Sequence, residues 1–129
     1  MNFRKYFAAL LAGVTAIASA ADFDGSRRLI CATAEARDCV SGETCFGGLP
    51  DDVGAPVFLR IDFEKKAIAG PKRTTPIRLM EQDERQLLLQ GTELGYAWVF
   101  ALDRTSGKFS ASLTDREGAF VLFGSCTPQ

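Results

Sequence analysis

Residues 86–126 read QLLLQGTELGYAWVFALDRTSGKFSASLTDREGAFVLFGSC, and this stretch decides the fold. It contains four short apolar runs separated by turn-forming segments, of which Asp103–Gly107 and Asp115–Gly118 are typical hairpin loops. Within Tyr96–Leu102, aromatic or leucine side chains alternate with alanine and valine, as expected for a strand that buries one face. The stretch therefore predicts an antiparallel meander that ends on a cysteine, Cys126.

The chain before this stretch continues the same pattern. Val57–Phe63 alternates most clearly between apolar and polar positions, and further strands are predicted at Leu29–Ala36, Ala67–Gly70 and Ile77–Met80. We predict a loop at Arg37–Pro50, because glycines and Pro50 interrupt it. The pattern gives about eight strands, and a meander of that size removes its exposed edges by closing on itself. The predicted fold class is all-β: an antiparallel up-and-down meander, forming a small closed or nearly closed barrel stapled by disulfides.

The first twenty residues have the composition of a secretory signal peptide. Arg4 and Lys5 form a positive start, an apolar run follows from Phe7 to Ile17, and Ala18–Ala20 supplies the small residues that signal peptidase reads. The apolar run is shorter than the roughly 20 residues that a membrane-spanning helix needs, which disfavours a transmembrane anchor. We therefore expect residues 1–20 to be a signal peptide, residues 21–129 to be a single β-domain, and the product to be periplasmic or secreted from a bacterium.

Four cysteines lie in the expected mature domain, at positions 31, 39, 45 and 126. An even number of cysteines in an exported chain predicts disulfides. If the barrel closes, the first strand lies beside the last, and this favours Cys31–Cys126 with Cys39–Cys45. The alternative pairing, Cys31–Cys39 with Cys45–Cys126, stays open at this point.

Composition and motifs exclude several classes of function. The chain contains no histidine, which excludes Ser-His-Asp and Cys-His catalysis, and it has neither a nucleophile elbow nor a phosphate-binding loop. Without Arg4 and Lys5 the net charge is −3, so neither nucleic acid nor an anionic membrane surface is expected as a partner. We expect no enzymatic activity, no cofactor, no metal and no membrane insertion after signal cleavage.

Two charged segments have weak functional interpretations. Asp22 and Asp24, followed by Gly25, are similar to the start of a calcium loop, but later acidic ligands in phase are missing, so an N-terminal turn is favoured. Five basic residues cluster in sequence and could bind an anionic partner or glycan, although a solvated loop and strand edge is the expected interpretation. These residues are Lys65, Lys66, Lys72, Arg73 and Arg78.

The aromatic residues of the last strands give the remaining functional signal. Tyr96, Trp98 and Phe100 share one face of their strand, and Phe123 lies on the final strand. Core packing explains such residues in most proteins, but one face could instead form a binding surface or line a ligand cavity. We therefore name Tyr96, Trp98, Phe100 and Phe123 as the candidate binding surface. A barrel of this size has room either for its own side chains or for one small ligand.

Several segments resemble a group of small exported proteobacterial proteins of unknown function. The resemblance covers most of the mature chain, through FDGSRRLICA, PVFLRIDF, LLLQGTELGYAWVFALDRTSGKFSAS and FVLFGSC. It implies export and a disulfide-stapled β-domain, and it implies no active site. A looser resemblance, in architecture, is to the small periplasmic β-barrel inhibitors of c-type lysozyme, whose S-G-x-x-Y segment is similar to GTELGYAW.

These observations predict a non-enzymatic exported protein that binds an unknown partner. Two alternatives remain from sequence: a carrier of a small apolar ligand, of the calycin type, and a protein similar to the lysozyme inhibitors. The interior of the barrel discriminates between them, because a carrier needs a cavity there that its own side chains do not fill.

Overall fold

The computed structural model describes residues 12–13 and 20–129. The expected signal segment, residues 1–20, falls outside the described residues except at positions 12, 13 and 20. Among the described residues, no helix has the length and apolar character needed to cross a membrane.

The described chain consists of ten antiparallel strands and two short 3-10 turns. The two turns are Ala20–Phe23 and Pro50–Val53. The strands are β1 (Leu29–Val40), β2 (Phe46–Gly48), β3 (Phe58–Asp62), β4 (Ala67–Ala69), β5 (Thr74–Pro76), β6 (Leu79–Gln82), β7 (Gln86–Glu93), β8 (Tyr96–Asp103), β9 (Lys108–Thr114) and β10 (Gly118–Pro128).

The strands form one curled sheet in the order β5-β4-β3-β1-β10-β9-β8-β7-β6, and β2 pairs with β1 outside this order. The first strand lies beside the last, as the meander predicted. The two outermost strands, β5 and β6, are consecutive in the chain and are separated only by Ile77 and Arg78. One run of chain therefore pairs with β4 through its first half and with β7 through its second half. This change of partner brings the two edges of the sheet together, so the predicted all-β barrel is confirmed as a nearly closed one.

The pairing of β1 with β10 places Cys31 directly opposite Cys126. The two residues form a disulfide with an S–S distance of 2.04 Å across a sequence separation of 95 residues. The second disulfide joins Cys39 to Cys45, which excludes the alternative pairing. The favoured connectivity is thus confirmed, and the long-range bridge lies across the two strands that begin and end the domain.

The prediction of a loop at Arg37–Pro50 is wrong at residues 37–40, which end β1, and at residues 46–48, which form β2. β1 continues to Val40, because β10 offers it hydrogen-bonding partners as far as Gly118. The Cys39–Cys45 bridge then ties the turn that leads into β2, where Gly47 and Gly48 pair with β1. Glycine content suggested a loop, but the long neighbouring strand decides the structure of this segment.

The number of strands also exceeds the predicted eight. No strand was predicted at residues 71–76, yet Thr74–Pro76 pairs with β4 as a short strand. Pro76 is tolerated because β5 lies at an edge of the sheet, so the missing proline N–H removes no hydrogen bond to a further strand.

The inward faces of the strands fill the middle of the barrel with apolar side chains. Phe100 and Phe109 stack there, with ring centroids 4.6 Å apart. The fully buried side chains around them include Leu29, Ile61, Leu87, Leu89, Leu102 and Leu122. Burial of this kind contributes about 1.5–3 kcal/mol for each large side chain, before the entropy of ordering is subtracted.

The barrel end that holds the Cys31–Cys126 bridge, called the closed end below, is covered by the N-terminal segment. Phe23 lies partly buried against the core, and its ring fills the space where a Cβ at Gly107 would stand. Gly107 adopts φ +74° in the β8–β9 turn, and its carbonyl accepts a hydrogen bond from the Cys126 N–H at 2.7 Å. A side chain at position 107 would therefore displace the phenylalanine that covers this end.

Candidate binding site

At the opposite end of the barrel, called the mouth, the core side chains stop short and leave a cavity of about 350 Å³. This volume lies at the lower limit of small-molecule sites, which occupy roughly 300–1,000 Å³. We call this cavity the cup. Most of its lining is apolar: Val53, Ala55, Pro56, Leu59, Ile68, Leu94, Tyr96, Leu113, Phe120 and Leu122.

Two aromatic side chains form one wall of the cup. Tyr96 begins β8 and Phe120 lies near the start of β10, and their ring centroids are 6.1 Å apart with planes tilted by 58°. Leu113 of β9 lies between them in the sheet, paired in register with Phe120. Tilted contacts of this kind are favourable beyond simple burial of area, so the wall is a pre-formed apolar surface.

A short 3-10 turn and the loop after it form the facing wall. Pro50 starts the turn, where its missing N–H costs nothing, and Gly54 ends it in the left-handed conformation at φ +71°. The carboxylate of Asp52 accepts a hydrogen bond from the Leu49 N–H at 3.1 Å, and the Ala55 N–H donates to the Pro50 carbonyl at 2.9 Å. These bonds hold Val53 and Ala55 against the cup.

The floor of the cup is tied to the core by hydrogen bonds through Thr75. The indole Nε1 of Trp98 donates to the Thr75 hydroxyl oxygen at 3.2 Å, and that hydroxyl donates to the Thr92 carbonyl at 3.3 Å. Gly91 allows this arrangement, because a Cβ there would lie only 2.6 Å from the indole ring atom Cε2 of Trp98. The single tryptophan of the chain is thus hydrogen-bonded to a residue that lines the cup.

The turn between β7 and β8 forms part of the rim, and its backbone is unusual. Leu94 and Gly95 both have positive φ, at 48° and 86°. Two consecutive positive φ values are typical of a type I′ hairpin turn, which prefers asparagine or aspartate at the first position. A leucine there is strained by about 1 kcal/mol, and the Leu94 side chain is 66% exposed. The rim therefore carries an exposed leucine in a backbone conformation that leucine rarely adopts.

Polar groups in the lining are few. Arg73 and Glu93 both line the cup, and neither forms a salt bridge within 4 Å among the described residues. A more open groove of about 630 Å³ shares the wall formed by residues 54–56 with the cup. Two residues of the predicted basic cluster, Lys72 and Arg73, line this groove. Arg78 instead donates to the Thr92 hydroxyl oxygen at 3.3 Å. Arg73 and Glu93 are therefore the two charged side chains of the cup lining.

The structure places the four predicted site residues in three different environments. Tyr96 lies in the wall of the cup. Trp98 and Phe100 face inward and are only 6% and 2% exposed, so a partner of the folded domain does not touch them. Phe123 points outward on β10, away from the cup. The four residues therefore do not form one surface.

Several cup residues were missed by the sequence interpretation. Val53 and Ala55 lie in a segment that reads as a turn, and only the packing of that turn over the barrel mouth brings them to the site. Leu94 could have been found from sequence, because an exposed leucine directly before glycine in a short hairpin loop contradicts the usual turn preference.

The carboxylates with shifted pKa values lie away from the cup. Backbone N–H groups of Arg85 and Gln86 lower the pKa of Asp83, and hydrogen bonds from Ser106 and Thr105 lower the pKa of Asp103. The Ser26 side chain and N–H lower the pKa of Asp24. Backbone donors of turns cause most of these shifts, so the shifts indicate structural carboxylates rather than an acid–base pair.

The segment Asp22–Gly25, which is similar to the start of a calcium loop but was expected to be an N-terminal turn, is held by local contacts. Asp22 pairs with Arg27 at 3.1 Å, and Asp24 accepts the Ser26 N–H at 2.9 Å. No group of three or more potential metal ligands occurs in the part of the chain that the structure describes.

The chain matches no protein family, no curated protein and no solved structure.

Proposed function

We propose that this chain is a non-enzymatic binding protein, exported to an oxidising compartment, that takes a small apolar group into the cup. The observation that carries the proposal is the asymmetry of the barrel: Phe23 covers the closed end, whereas the mouth exposes an apolar cavity whose rim holds the strained Leu94. A domain that needed only a stable core would gain from filling both ends. Burial of a ligand's apolar group at the mouth would supply the contacts that the core lacks there.

Export is supported by the signal-like composition of residues 1–20 and by the two disulfides. Disulfides persist in oxidising compartments such as the bacterial periplasm. We propose a periplasmic or secreted location on these grounds.

The absence of an enzymatic role remains part of the proposal. The chain has no histidine, and among the residues that line the cup the only carboxylate is Glu93. Acid–base chemistry on a bound ligand usually needs two groups with different protonation states.

Fluorescence of the single tryptophan provides a direct test. The probe is 1-anilinonaphthalene-8-sulfonate, which combines an apolar ring system with one anionic group. Because Trp98 is hydrogen-bonded to Thr75 of the cup, binding of the probe should quench Trp98 emission and enhance probe emission. Ala55→Phe fills the cup and should weaken binding by about tenfold or more, since it removes most of the buried contact.

Ala34→Phe is the matched control, because Ala34 is exposed on the outward face of β1. It should leave probe binding unchanged. Equal binding by the Ala55→Phe and wild-type proteins, or no binding by the wild-type protein, would overturn the cup as the binding site.

A second candidate, a protein partner similar to c-type lysozyme, is favoured by one observation. The segment that resembles the lysozyme inhibitors, residues 91–98, contains the exposed Leu94 at the tip of the β7–β8 hairpin. Addition of the mature protein to a c-type lysozyme should then reduce lytic activity, and Leu94→Asp should restore it. Full lytic activity at a large excess of the protein would exclude this candidate.

A further inference from the structure

The two disulfides of the domain differ in their access to solvent. Cys31 and Cys126, at the closed end of the barrel, are 0% and 3% exposed. In contrast, Cys45 is exposed and its partner Cys39 is half-buried. Thiol–disulfide exchange needs direct access of a thiolate to a sulfur atom, so a reductant reaches the Cys39–Cys45 bridge before the buried one.

The exposed bridge fixes the start of a strand that has little else to hold it. The bridge closes the connection between β1 and β2, and residues 40–44 of this connection are all exposed. β2 consists of Phe46, Gly47 and Gly48, which pair with β1. Glycine loses more conformational freedom on ordering than any other residue, so this short strand depends on the bridge that restrains its start.

β2 leads directly into the wall of the cup. Leu49 alone separates it from the 3-10 turn of that wall, and the Leu49 N–H donates to the Asp52 carboxylate at 3.1 Å. Gly48 packs against the same carboxylate, because a Cβ there would stand 2.8 Å from Asp52 Oδ2. Val53, which ends the turn, and Ala55 line the cup. A displacement of β2 is therefore passed to the lining through contacts with Asp52.

We propose that the Cys39–Cys45 bridge is a redox switch for the cup. In the oxidised protein the bridge fixes β2, and β2 holds the turn that carries Val53. When a dithiol reduces the bridge, β2 separates from β1, the wall loosens and the cup holds its ligand less tightly. The Cys31–Cys126 bridge keeps the barrel closed meanwhile. The switch rests on the proposed function, because what it controls is ligand binding at the cup.

The reductant is a dithiol, and the exchange takes two steps. A thiolate of the dithiol attacks Sγ of Cys45, the more exposed cysteine, and Sγ of Cys39 leaves as a thiolate that takes up a proton. The second thiolate of the dithiol then attacks the mixed disulfide at the dithiol's own sulfur and releases Cys45, which is protonated in turn. Two electrons pass from the dithiol, which becomes a disulfide, and its two protons end on the cysteine thiols.

Selective reduction is the first measurement. The folded, oxidised protein is equilibrated with increasing concentrations of dithiothreitol, free thiols are alkylated, and peptide mass spectrometry locates them. Cys39 and Cys45 should be alkylated at concentrations of reductant that leave Cys31 and Cys126 bonded. Reduction of both bridges over the same concentration range would overturn the proposal.

Binding of 1-anilinonaphthalene-8-sulfonate to the selectively reduced protein measures the effect on the cup. Reduction should weaken probe binding about fivefold or more, because ordering of the released wall then opposes binding. Re-oxidation with oxidised glutathione should restore the original affinity. A reduced protein that binds the probe as tightly as the oxidised protein overturns the switch.

Cys39→Ser combined with Cys45→Ser is the matched control. This double variant should bind the probe as weakly as the reduced protein and should not respond to dithiothreitol. A double variant that binds as tightly as the oxidised protein contradicts the proposal. Circular dichroism shows whether the variant folds, and the reduced wild-type protein supplies the same comparison without any substitution.

Hydrogen exchange separates failure of the switch from failure of the cup. On reduction, the backbone amides of residues 46–55 should exchange faster, whereas those of β8 and β9 should not change. An oxidised protein that binds no probe overturns the proposed function and, with it, the control of binding. An oxidised protein that binds the probe, but whose residues 46–55 exchange no faster on reduction, overturns the switch alone.

Discussion

The Trp98 indole N–H and the Thr75 hydroxyl oxygen lie 3.2 Å apart and join two strands that are not neighbours in the sheet. Trp98 belongs to β8, whereas Thr75 belongs to β5, at the far end of the strand order. The hydrogen bond therefore fastens the strand that closes the barrel to the aromatic core.

Replacement of Thr75 by valine should destabilise the domain through this bond. The substitution keeps the shape of the side chain but leaves the Trp98 N–H without its acceptor in a largely buried site, at a cost of about 1–3 kcal/mol. Thr74→Val, at the exposed neighbouring position, is the control and should change stability little. Urea unfolding followed by Trp98 fluorescence measures both, and equal effects of the two variants would contradict the role of the bond.

Gly91 should tolerate no side chain, because a Cβ there would stand 2.4 Å from Cζ2 of Trp98 and 2.7 Å from the carbonyl oxygen of Pro76. Gly91→Ala is expected to lose about 1–3 kcal/mol of stability through overpacking. Gly70→Ala provides the control, since a Cβ at Gly70 would meet its nearest neighbour at an ordinary 3.7 Å. Thermal unfolding by circular dichroism should show a clearly lower midpoint for Gly91→Ala only.

The two disulfides should contribute unequally to stability. The chain-entropy account assigns about 4–5 kcal/mol to a loop the size of that closed by Cys31–Cys126 and about 2 kcal/mol to one the size of the Cys39–Cys45 loop. Replacing Cys31 and Cys126 by alanine should therefore lower the free energy of unfolding by more than replacing Cys39 and Cys45. Urea unfolding of the two double variants measures the difference, and a larger loss from the short bridge would refute the expectation.

Leu94→Asn should raise the stability of the domain and weaken its binding of the probe. Asparagine adopts positive φ more readily than leucine, so the β7–β8 turn should gain about 0.5–1 kcal/mol in stability. The same change removes an apolar side chain from the rim of the cup and should weaken binding of the anilinonaphthalene probe. A variant that is more stable and binds the probe as tightly as wild type would show that the strain at Leu94 serves no binding role.

Acid should weaken the domain through the turn carboxylates. Hydrogen bonds hold the pKa values of Asp83 and Asp103 below the ordinary value of 3.8, so both carboxylates favour the folded state when ionised. Their contribution is complete above the unfolded pKa and is lost as the pH falls through the lower folded pKa. The urea midpoint should thus decline below about pH 4. Asp103→Asn should make that decline shallower, and an unchanged slope would contradict the assignment.

Much of the fold was predictable because the strands have local signatures. Alternating residues in β8 and β9 and the turn chemistry of Asp103–Gly107 indicate hairpins without any knowledge of the rest of the chain. Barrel closure favoured the Cys31–Cys126 pairing, and the structure excludes the alternative pairing that the sequence left open. In contrast, β5 and the second half of β1 are strands only because longer neighbours offer them hydrogen bonds, and no local pattern reveals this.

The cup was less predictable than the fold. Tyr96 was correctly placed on an apolar face, but sequence gives no measure of where along a barrel the core stops. That boundary depends on the stagger of the strands and on the loop 54–56, which packs over the mouth from a distant part of the chain. Phe123 was named for the candidate binding surface because its strand is apolar on both faces, and the structure places its side chain, 42% exposed, on the outside of the sheet.

The partner change at Ile77 and Arg78 has one further consequence. Because one run of chain supplies both edges of the sheet, Thr74–Pro76 pairs with β4 and Leu79–Gln82 pairs with β7. The two-residue connection 77–78 therefore sets how closely these edges approach each other, while the outer side of β6 stays exposed to solvent.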